Sequence, residues 1–110
     1  MKPVSTGNIL TAATKTTVYT VPTGYYAKWV LCYVVNTTGN NKYIDALWYD
    51  ASTATEIHVL DNYVLSATQF VKFNDGAYVV LEEGDQVRLE SEAASTMNTI
   101  NTFELYRKGE

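Results

Sequence analysis

Apolar and polar residues alternate along much of this chain, and no helical repeat separates the alternating segments. Within residues 86–91, for example, Val87 and Leu89 alternate with Arg88 and Glu90. A period of two is typical of a strand that packs one face on a core and exposes the other. The pattern therefore predicts an all-β chain whose strands each contribute one face to the interior.

Turn residues divide the alternating segments. Residues 21–24 place Pro22 where a β-turn needs a fixed φ and Gly24 where it needs left-handed geometry. Asn, Asp and Gly mark further turns at 40–41, 74–76 and 83–85. Their spacing favours an antiparallel β-sandwich. The predicted strands cover residues 9–13, 16–21, 25–36, 43–49, 56–60, 69–73, 77–81, 86–91 and 99–107.

The long segment 25–36 has two apolar stripes. A strict alternation puts Val30, Cys32 and Val34 on one side. The other stripe consists of Tyr25, Ala27, Trp29, Leu31, Tyr33 and Val35. Both faces of this strand are then expected to be covered, by an intrachain loop, by the amino-terminal arm or by another subunit. Since a small sandwich also gains by burying its sheet edges, we expect a homo-oligomer.

A length of 110 residues is that of one domain. Residues 1–8 are polar and include a proline and a glycine, so we predict an extended amino-terminal arm followed by a single β-sandwich domain over 9–110. Such an arm can lie on a neighbouring subunit, and the alternative is a frayed terminus without a role.

Charge and cysteine content narrow the function classes. The formal net charge of −4 opposes binding to a phosphate backbone, so nucleic acid is not an expected partner. Cys32 is the single cysteine, which excludes an intrachain disulfide and suits assembly in a reducing cytoplasm. The longest apolar run covers 29–35, far short of a membrane span, and residues 1–13 lack the apolar region of a secretory signal. We expect neither a membrane anchor nor export by that route.

Candidate catalytic residues lack the partners that catalysis needs. His58 is the single histidine, and alternation with Ile57 and Val59 turns it toward solvent. No motif supplies a nucleophile or an orienting group for a base there. Cys32 has apolar neighbours, which favour a buried and inert thiol. None of the serines stands in a G-x-S-x-G turn; they are Ser5, Ser52, Ser66, Ser91 and Ser95.

Metal ligands and modification signals are also weak. One histidine and one cysteine cannot form a four-ligand structural zinc site. Four aspartates offer oxygen ligands for calcium without EF-hand spacing, namely Asp45, Asp50, Asp61 and Asp85. Asp85 follows Gly84 at a hairpin and is interpreted as a turn residue. The glycosylation triplet that begins at Asn36 is interpreted as a polar turn. We therefore expect no enzyme, no metal and no cofactor.

Aromatic residues carry the functional signal of this sequence. A chain with nine tyrosines and two tryptophans cannot bury all of them in one thin core. The rings considered are Tyr25, Tyr26, Trp29, Tyr33, Tyr43, Trp48, Tyr49, Tyr63, Tyr78 and Tyr106. Exposed Tyr and Trp serve protein interfaces, and they also stack on sugars. For any individual ring, the favoured interpretation is a half-buried packing residue of a thin sandwich.

Three segments together resemble a family of small β-sandwich structural proteins of tailed-phage virions. They are VYTVPTGYYAKWVLCYVVN over 18–36, VVLEEGDQVRLE over 79–90 and FELYRKGE over 103–110. The resemblance implies a jelly-roll-like fold and a capsid decoration (cement) protein or a tail accessory protein, and it brings no catalytic residues. Residues 40–65 depart from the pattern by carrying more aromatics.

The resemblance implies a non-enzymatic virion protein that is assembled in the cytoplasm of a host bacterium. Its expected partners are the major capsid protein or other virion proteins and further copies of itself, with a trimer favoured. The first hypothesis is a capsid decoration protein that stabilises the head by several modest contacts acting together. The alternative is a tail or fibre accessory module that binds a receptor or a carbohydrate.

Overall fold

A computed structural model describes residues 1–74 and 78–109, and within these ranges the chain forms strands and no helix. The strands are β1 (Lys2–Leu10), β2 (Thr16–Thr20), β3 (Tyr25–Asn36), β4 (Lys42–Asp50), β5 (Thr55–Leu65), β6 (Phe70–Phe73), β7 (Val79–Leu81), β8 (Gln86–Ser91) and β9 (Met97–Arg107). In the part of the chain that the structure describes, no helix is long and apolar enough to cross a bilayer.

The strands form two antiparallel sheets that pack face to face. One sheet has the order β1-β9-β3-β6, with β7 also paired to β3, and the other has the order β2-β8-β4-β5. The pairings nest around the β4–β5 hairpin: β3 pairs with β6 and β7, β2 with β8, and β1 with β9. The predicted all-β antiparallel sandwich is confirmed.

The first predicted strand, 9–13, is wrong in position. Strand β1 begins at Lys2 and pairs with β9 as far as the Leu10–Met97 pair. Its inward stripe consists of Val4, Thr6, Asn8 and Leu10, and the two polar residues in the middle interrupt the hydrophobic signal. Residues 2–8, which were predicted to form an arm, are extended and belong to the edge of the sheet within this chain. Their contact with a neighbouring subunit stays a proposal.

The other strands lie near their predicted positions. Strand β3 has the predicted bounds, and β5 continues five residues beyond the predicted end at 60. Strand β9 begins two residues before the predicted start at 99. The turn predicted at 74–76 and the strand start predicted at 77 fall partly outside the described residues.

A β-bulge in β3 overturns the predicted stripes. Trp29 pairs with Phe103 and Leu31 pairs with Thr102, so Val30 is an extra residue without a partner of its own on β9. A bulge shifts the alternation by one position. The inward side chains are consequently Ala27, Trp29, Cys32, Val34 and Asn36, all buried. Leu31, Tyr33 and Val35 turn outward, so they do not share a face with Ala27 and Trp29 as the strict alternation predicted.

An aromatic cluster fills the space between the sheets. Trp29 and Phe103 are fully buried, and the Tyr19 ring stacks on Phe103 with 4.2 Å between centroids. The indole Nε1–H of Trp29 donates to Asn101 Oδ1 at 3.1 Å, which satisfies the polar end of the largest core side chain. Truncating either buried ring would cost about 3–5 kcal/mol by the usual cost of large core deletions.

The two turn motifs that stand out in the sequence bind each other. The Val21 N–H donates to the Asp85 carbonyl oxygen and the Gly84 N–H donates to the Val21 carbonyl oxygen, both at 3.0 Å. The Gly24 N–H donates to Glu83 Oε2 at 2.9 Å. Gly24 and Gly84 have φ values of 86° and 83°, which glycine adopts without strain. The 21–24 and 83–85 turns therefore form one end of the sandwich together.

The buried Asp85 carboxylate organises this end. Its Oδ2 accepts from Trp48 Nε1–H at 3.1 Å and from the Glu82 N–H at 3.0 Å, and its Oδ1 accepts from the Ala51 N–H at 3.0 Å. Asp85 is 2% exposed. The carboxylate thus joins the turn before β8 to the end of β4, which explains its burial as a structural feature.

We predict that Asp85→Ala lowers the free energy of unfolding by about 3 kcal/mol or more, because three donors lose a charged acceptor in a buried site. Urea unfolding followed by tryptophan fluorescence measures the change. Glu82→Ala is the matched control, since it removes an exposed carboxylate from the same turn. Equal stability of the two variants would contradict the structural role given to Asp85.

Candidate interaction face

The two outer faces of the sandwich differ in chemistry. On the four-stranded sheet, Glu56 accepts from Lys15 Nζ at 2.6 Å and from Arg88 Nη1 at 2.7 Å, and the Arg88 guanidinium lies 4.0 Å from the Tyr49 ring centroid. Charged and polar side chains therefore dominate the middle of this face, and they satisfy one another.

The hydrogen bonds from Lys15 and Arg88 lower the pKa of the Glu56 carboxyl. A lowered pKa in the folded chain means that the unfolded chain binds the proton more tightly. The ion pairs accordingly contribute their full stability above the ordinary pKa of 4.5 and lose it as the pH falls through the lowered value.

The outer face of the five-stranded sheet carries exposed rings and aliphatic side chains. We call it the aromatic face and define it by Ile9, Tyr26, Lys28, Tyr33, Phe70, Tyr78, Val80, Ile100 and Tyr106. The most exposed apolar members are Ile9 at 67%, Phe70 at 52%, Tyr78 at 50%, Ile100 at 45% and Val80 at 43%. Scattered single apolar residues are ordinary on a surface, whereas a contiguous set marks an interaction site.

Cross-strand pairing brings these residues together. Tyr26 pairs with Tyr106, and their rings stack with 5.1 Å between centroids. The Lys28 ammonium lies 4.8 Å from the Tyr78 ring centroid and 5.3 Å from that of Tyr106. These contacts hold four side chains from strands β3 and β9 and from the start of β7 in one arrangement.

The other half of the aromatic face is more apolar. Tyr33 stacks on Phe70 with 5.5 Å between centroids. Tyr33 also pairs with Ile100 of β9, and Gly7 of β1 lies opposite Ile100 on the other side. Since glycine has no side chain, it leaves Ile100 uncovered next to Ile9. This half of the face therefore offers hydrophobic area with few charges.

The aromatic face continues around the edge of the sandwich into an apolar groove of about 310 Å³. The groove lies between β5 of one sheet and the β6–β7 edge of the other. Its lining residues are Val59, Leu60, Phe73, Tyr78 and Val79. Tyr78 belongs to both features, so the face and the groove form one continuous surface.

The candidate catalytic residues remain apart from this face. His58 is exposed on β5, and its Nε2 lies 3.8 Å from Asp61 Oδ1. Cys32 is 1% exposed in the core, and burial raises the pKa of its thiol to about 12. The Asp50 carboxylate accepts from the Ser52 N–H and hydroxyl, and these hydrogen bonds lower the pKa of the Asp50 carboxyl. Asp85 is bound by its three donors.

Asn36 of the glycosylation triplet is fully buried. Its Nδ2 donates to the carbonyl oxygens of Asn40 at 2.8 Å and Leu65 at 3.1 Å, and its Oδ1 accepts from the Thr38 N–H at 3.0 Å. The side chain closes the β3–β4 turn, which leaves no free amide for a glycan.

Two arrangements were invisible in the sequence. The bulge at Val30 decides which half of β3 faces outward, and no turn residue marks it. Asp45 lies beside His58 and Asp61 because β4 and β5 change register there. The abundance of tyrosine was the one signal that pointed toward the aromatic face.

A comparison with solved structures finds the overall fold of this chain in a chain with a TM-score of 0.54. No protein-family model matches this chain. No curated protein matches it either. A chain from a structure of Bacillus endospore appendages, described as a family of disulfide-linked pili, is 19% identical with a TM-score of 0.54, and the match covers 96% of this chain and 88% of that one. A chain of the cyanophage Pam1 capsid asymmetric unit is 16% identical with a TM-score of 0.45, covering 93% and 82%.

We predict that at pH 8 the Cys32 thiol reacts with a soluble disulfide reagent more slowly in the folded chain than in the unfolded chain. The smaller thiolate fraction alone should slow the reaction by roughly three orders of magnitude. The raised pKa and the burial of the sulfur are the reasons. Thiol titration in native buffer and in denaturant measures the ratio. Comparable rates in both would contradict a buried thiol.

A second prediction concerns pH. Glu56→Gln should lower the free energy of unfolding by up to about 1 kcal/mol near neutral pH, because the ion pairs are partly exposed. The difference from the wild type should shrink as the pH falls below 4.5, where the carboxyl becomes protonated. Urea unfolding across the pH range tests this, with Glu82→Gln as control. A difference that stays constant in acid would contradict the assignment.

Proposed function

We propose that this protein is a non-enzymatic structural subunit that docks through its aromatic face onto other subunits of an assembly. The single observation that carries the proposal is the contrast between the two outer faces. The middle of one is polar and internally ion-paired, with exposed apolar side chains along its edge strand β5 at Ile57, Tyr63 and Val64, while the other exposes stacked rings and aliphatic side chains across its central strands. A subunit that lies flat on partners and presents its opposite side to solvent needs this division.

The dimensions of the molecule support the proposal. The chain measures 47 × 27 × 19 Å, so a broad face has an area of about 1,270 Å². A standard protein interface buries about 800 Å² on each partner. The broad side that carries the aromatic face is therefore large enough for a stable contact even when only part of it is covered.

More finely, we propose that the assembly is a tailed-phage virion and that the protein decorates the capsid, as the sequence resemblance implies. The nested pairing of strands is what a jelly roll requires, with two sheets in the orders β1-β9-β3-β6 and β2-β8-β4-β5. In this proposal the partners are the major capsid protein and further copies of this chain, with a trimer favoured, and assembly takes place in the host cytoplasm.

The burial of Cys32 affects whether copies of this chain could be joined by a disulfide. The endospore appendages with a similar fold are described as disulfide-linked. Cys32 is the single cysteine here and lies in the core, so it is not placed to link copies of this chain. We propose that subunits associate by packing of the aromatic face instead.

The alternative, a tail or fibre module that binds carbohydrate, is less well supported by ring geometry. Sugar binding uses the open faces of aromatic rings. Tyr26 and Tyr106 stack on each other, Tyr33 stacks on Phe70, and Lys28 lies over two rings. Much of the ring surface is therefore occupied by neighbouring side chains of the same molecule.

We predict that the wild-type chain self-associates at micromolar concentration and that the double variant Phe70→Ser/Val80→Ser is a monomer. Both side chains are exposed on the aromatic face, so the fold should persist. Size-exclusion chromatography with light scattering measures the mass. The matched control is Ile57→Ser/Val64→Ser, which removes two equally exposed aliphatic side chains from β5 and should leave the oligomer intact.

A monomeric wild-type chain, or equal dissociation of both double variants, would contradict self-association through the aromatic face. The virion proposal has a separate test, which is the copy number relative to the major capsid protein in purified particles by quantitative mass spectrometry. Comparable abundance supports capsid decoration. A few per cent would place the protein at the tail or a fibre, and absence from particles would refute a virion role.

A further inference from the structure

A second site lies on the other sheet, away from the aromatic face. One ligand atom from each of Asp45, His58 and Asp61 lies within 4.8 Å of the other two. Asp45 is on β4, and the other two residues are on β5. The register between these strands shifts on both sides of Ala46, which brings residues together that a regular ladder would separate.

The Asp45 carboxylate is largely buried and, within the described residues, accepts one hydrogen bond. Asp45 is 9% exposed as a residue. Its carboxylate Oδ1 accepts a hydrogen bond from the Asn62 N–H at 2.6 Å. Within residues 1–74 and 78–109 no lysine or arginine forms an ion pair with it. Its cross-strand neighbour on β8 is another acid, Glu90. A buried carboxylate is costly unless a cation or several donors balance it, so this site calls for a positive charge.

We propose that Asp45, His58 and Asp61 bind a divalent cation of the zinc class. An imidazole nitrogen with two carboxylate oxygens suits Zn²⁺, which takes both ligand types. Calcium is bound by oxygen ligands alone and gains nothing from the imidazole. Three protein ligands leave at least one position for water. The site is independent of the aromatic face and of any virion partner.

The geometry needs only small side-chain movements. His58 Nε2 and Asp61 Oδ1 are 3.8 Å apart, whereas neighbouring ligand atoms around a four-coordinate zinc are separated by about 3.4 Å. The side chains of His58 and Asp61 are 48% and 71% exposed, so both can rotate toward the fixed Asp45. The bound ion would join β4 to β5 at the irregular part of their ladder and stabilise the folded chain.

The experiment is a titration of the full chain with zinc chloride at neutral pH, followed by calorimetry and by thermal unfolding. The background is low because the chain has a single histidine and its single cysteine is buried. We expect one zinc per chain and a higher unfolding temperature with zinc. His58→Gln and Asp45→Asn should each weaken zinc binding at least about tenfold. Loss of a residue that only hydrogen-bonds to a metal ligand already weakens metal binding by about that factor.

Asp50→Asn is the matched control, since it removes the same charge from the end of β4 outside the cluster, and its zinc affinity should equal that of the wild type. His58→Gln changes an exposed side chain, so a folding defect should not obscure the result. The imidazole resonances of His58 should shift with zinc and stay unchanged with magnesium. No saturable zinc binding, unchanged affinity in His58→Gln, or equal weakening by Asp50→Asn would each overturn the proposal.

Discussion

The end of the sandwich depends on one buried carboxylate. Asp85 is almost inaccessible to solvent, and it accepts hydrogen bonds from the Trp48 indole and from two backbone amides in different segments. A charge at this depth persists only when donors surround it, so the surrounding segments must all be in place together. The 21–24 turn, the 83–85 turn and the end of β4 are therefore a cooperative unit, and the two sheets are aligned through it.

This alignment leaves two outer faces with different chemistry. The four-stranded sheet holds the Glu56 ion pairs and the proposed cation site of Asp45, His58 and Asp61. The five-stranded sheet holds the aromatic face, where the Lys28 ammonium lies over the rings of Tyr78 and Tyr106. Burial of apolar area would favour association through the aromatic face, whereas solvation of the charged side chains favours exposure of the outer face of the four-stranded sheet. The fold is thus a flat sandwich with two chemically different sides.

How far the sequence predicts this molecule depends on which residues carry a local signal. Strand β3 was predicted to the residue because turn signals stand at both of its ends, and the Gly84–Asp85 turn was recognised from its chemistry. Strand β1 was misplaced because Thr6 and Asn8 face inward without being hydrophobic. The bulge at Val30 and the meeting of Asp45 with His58 arise from register between distant strands. No local pattern in one chain encodes that register.

The extra residue at Val30 has a consequence for redox chemistry. With a regular ladder beyond Trp29, Leu31 and Tyr33 would face the core, and Cys32 would face outward onto the broad side of the sheet. Copies meeting through that side would then bring thiols together, open to oxidation and to covalent cross-linking. The bulge turns the sulfur inward, so copies that met on that side would not be cross-linked by Cys32. A single inserted residue thereby decides whether oxidation could make such a contact permanent.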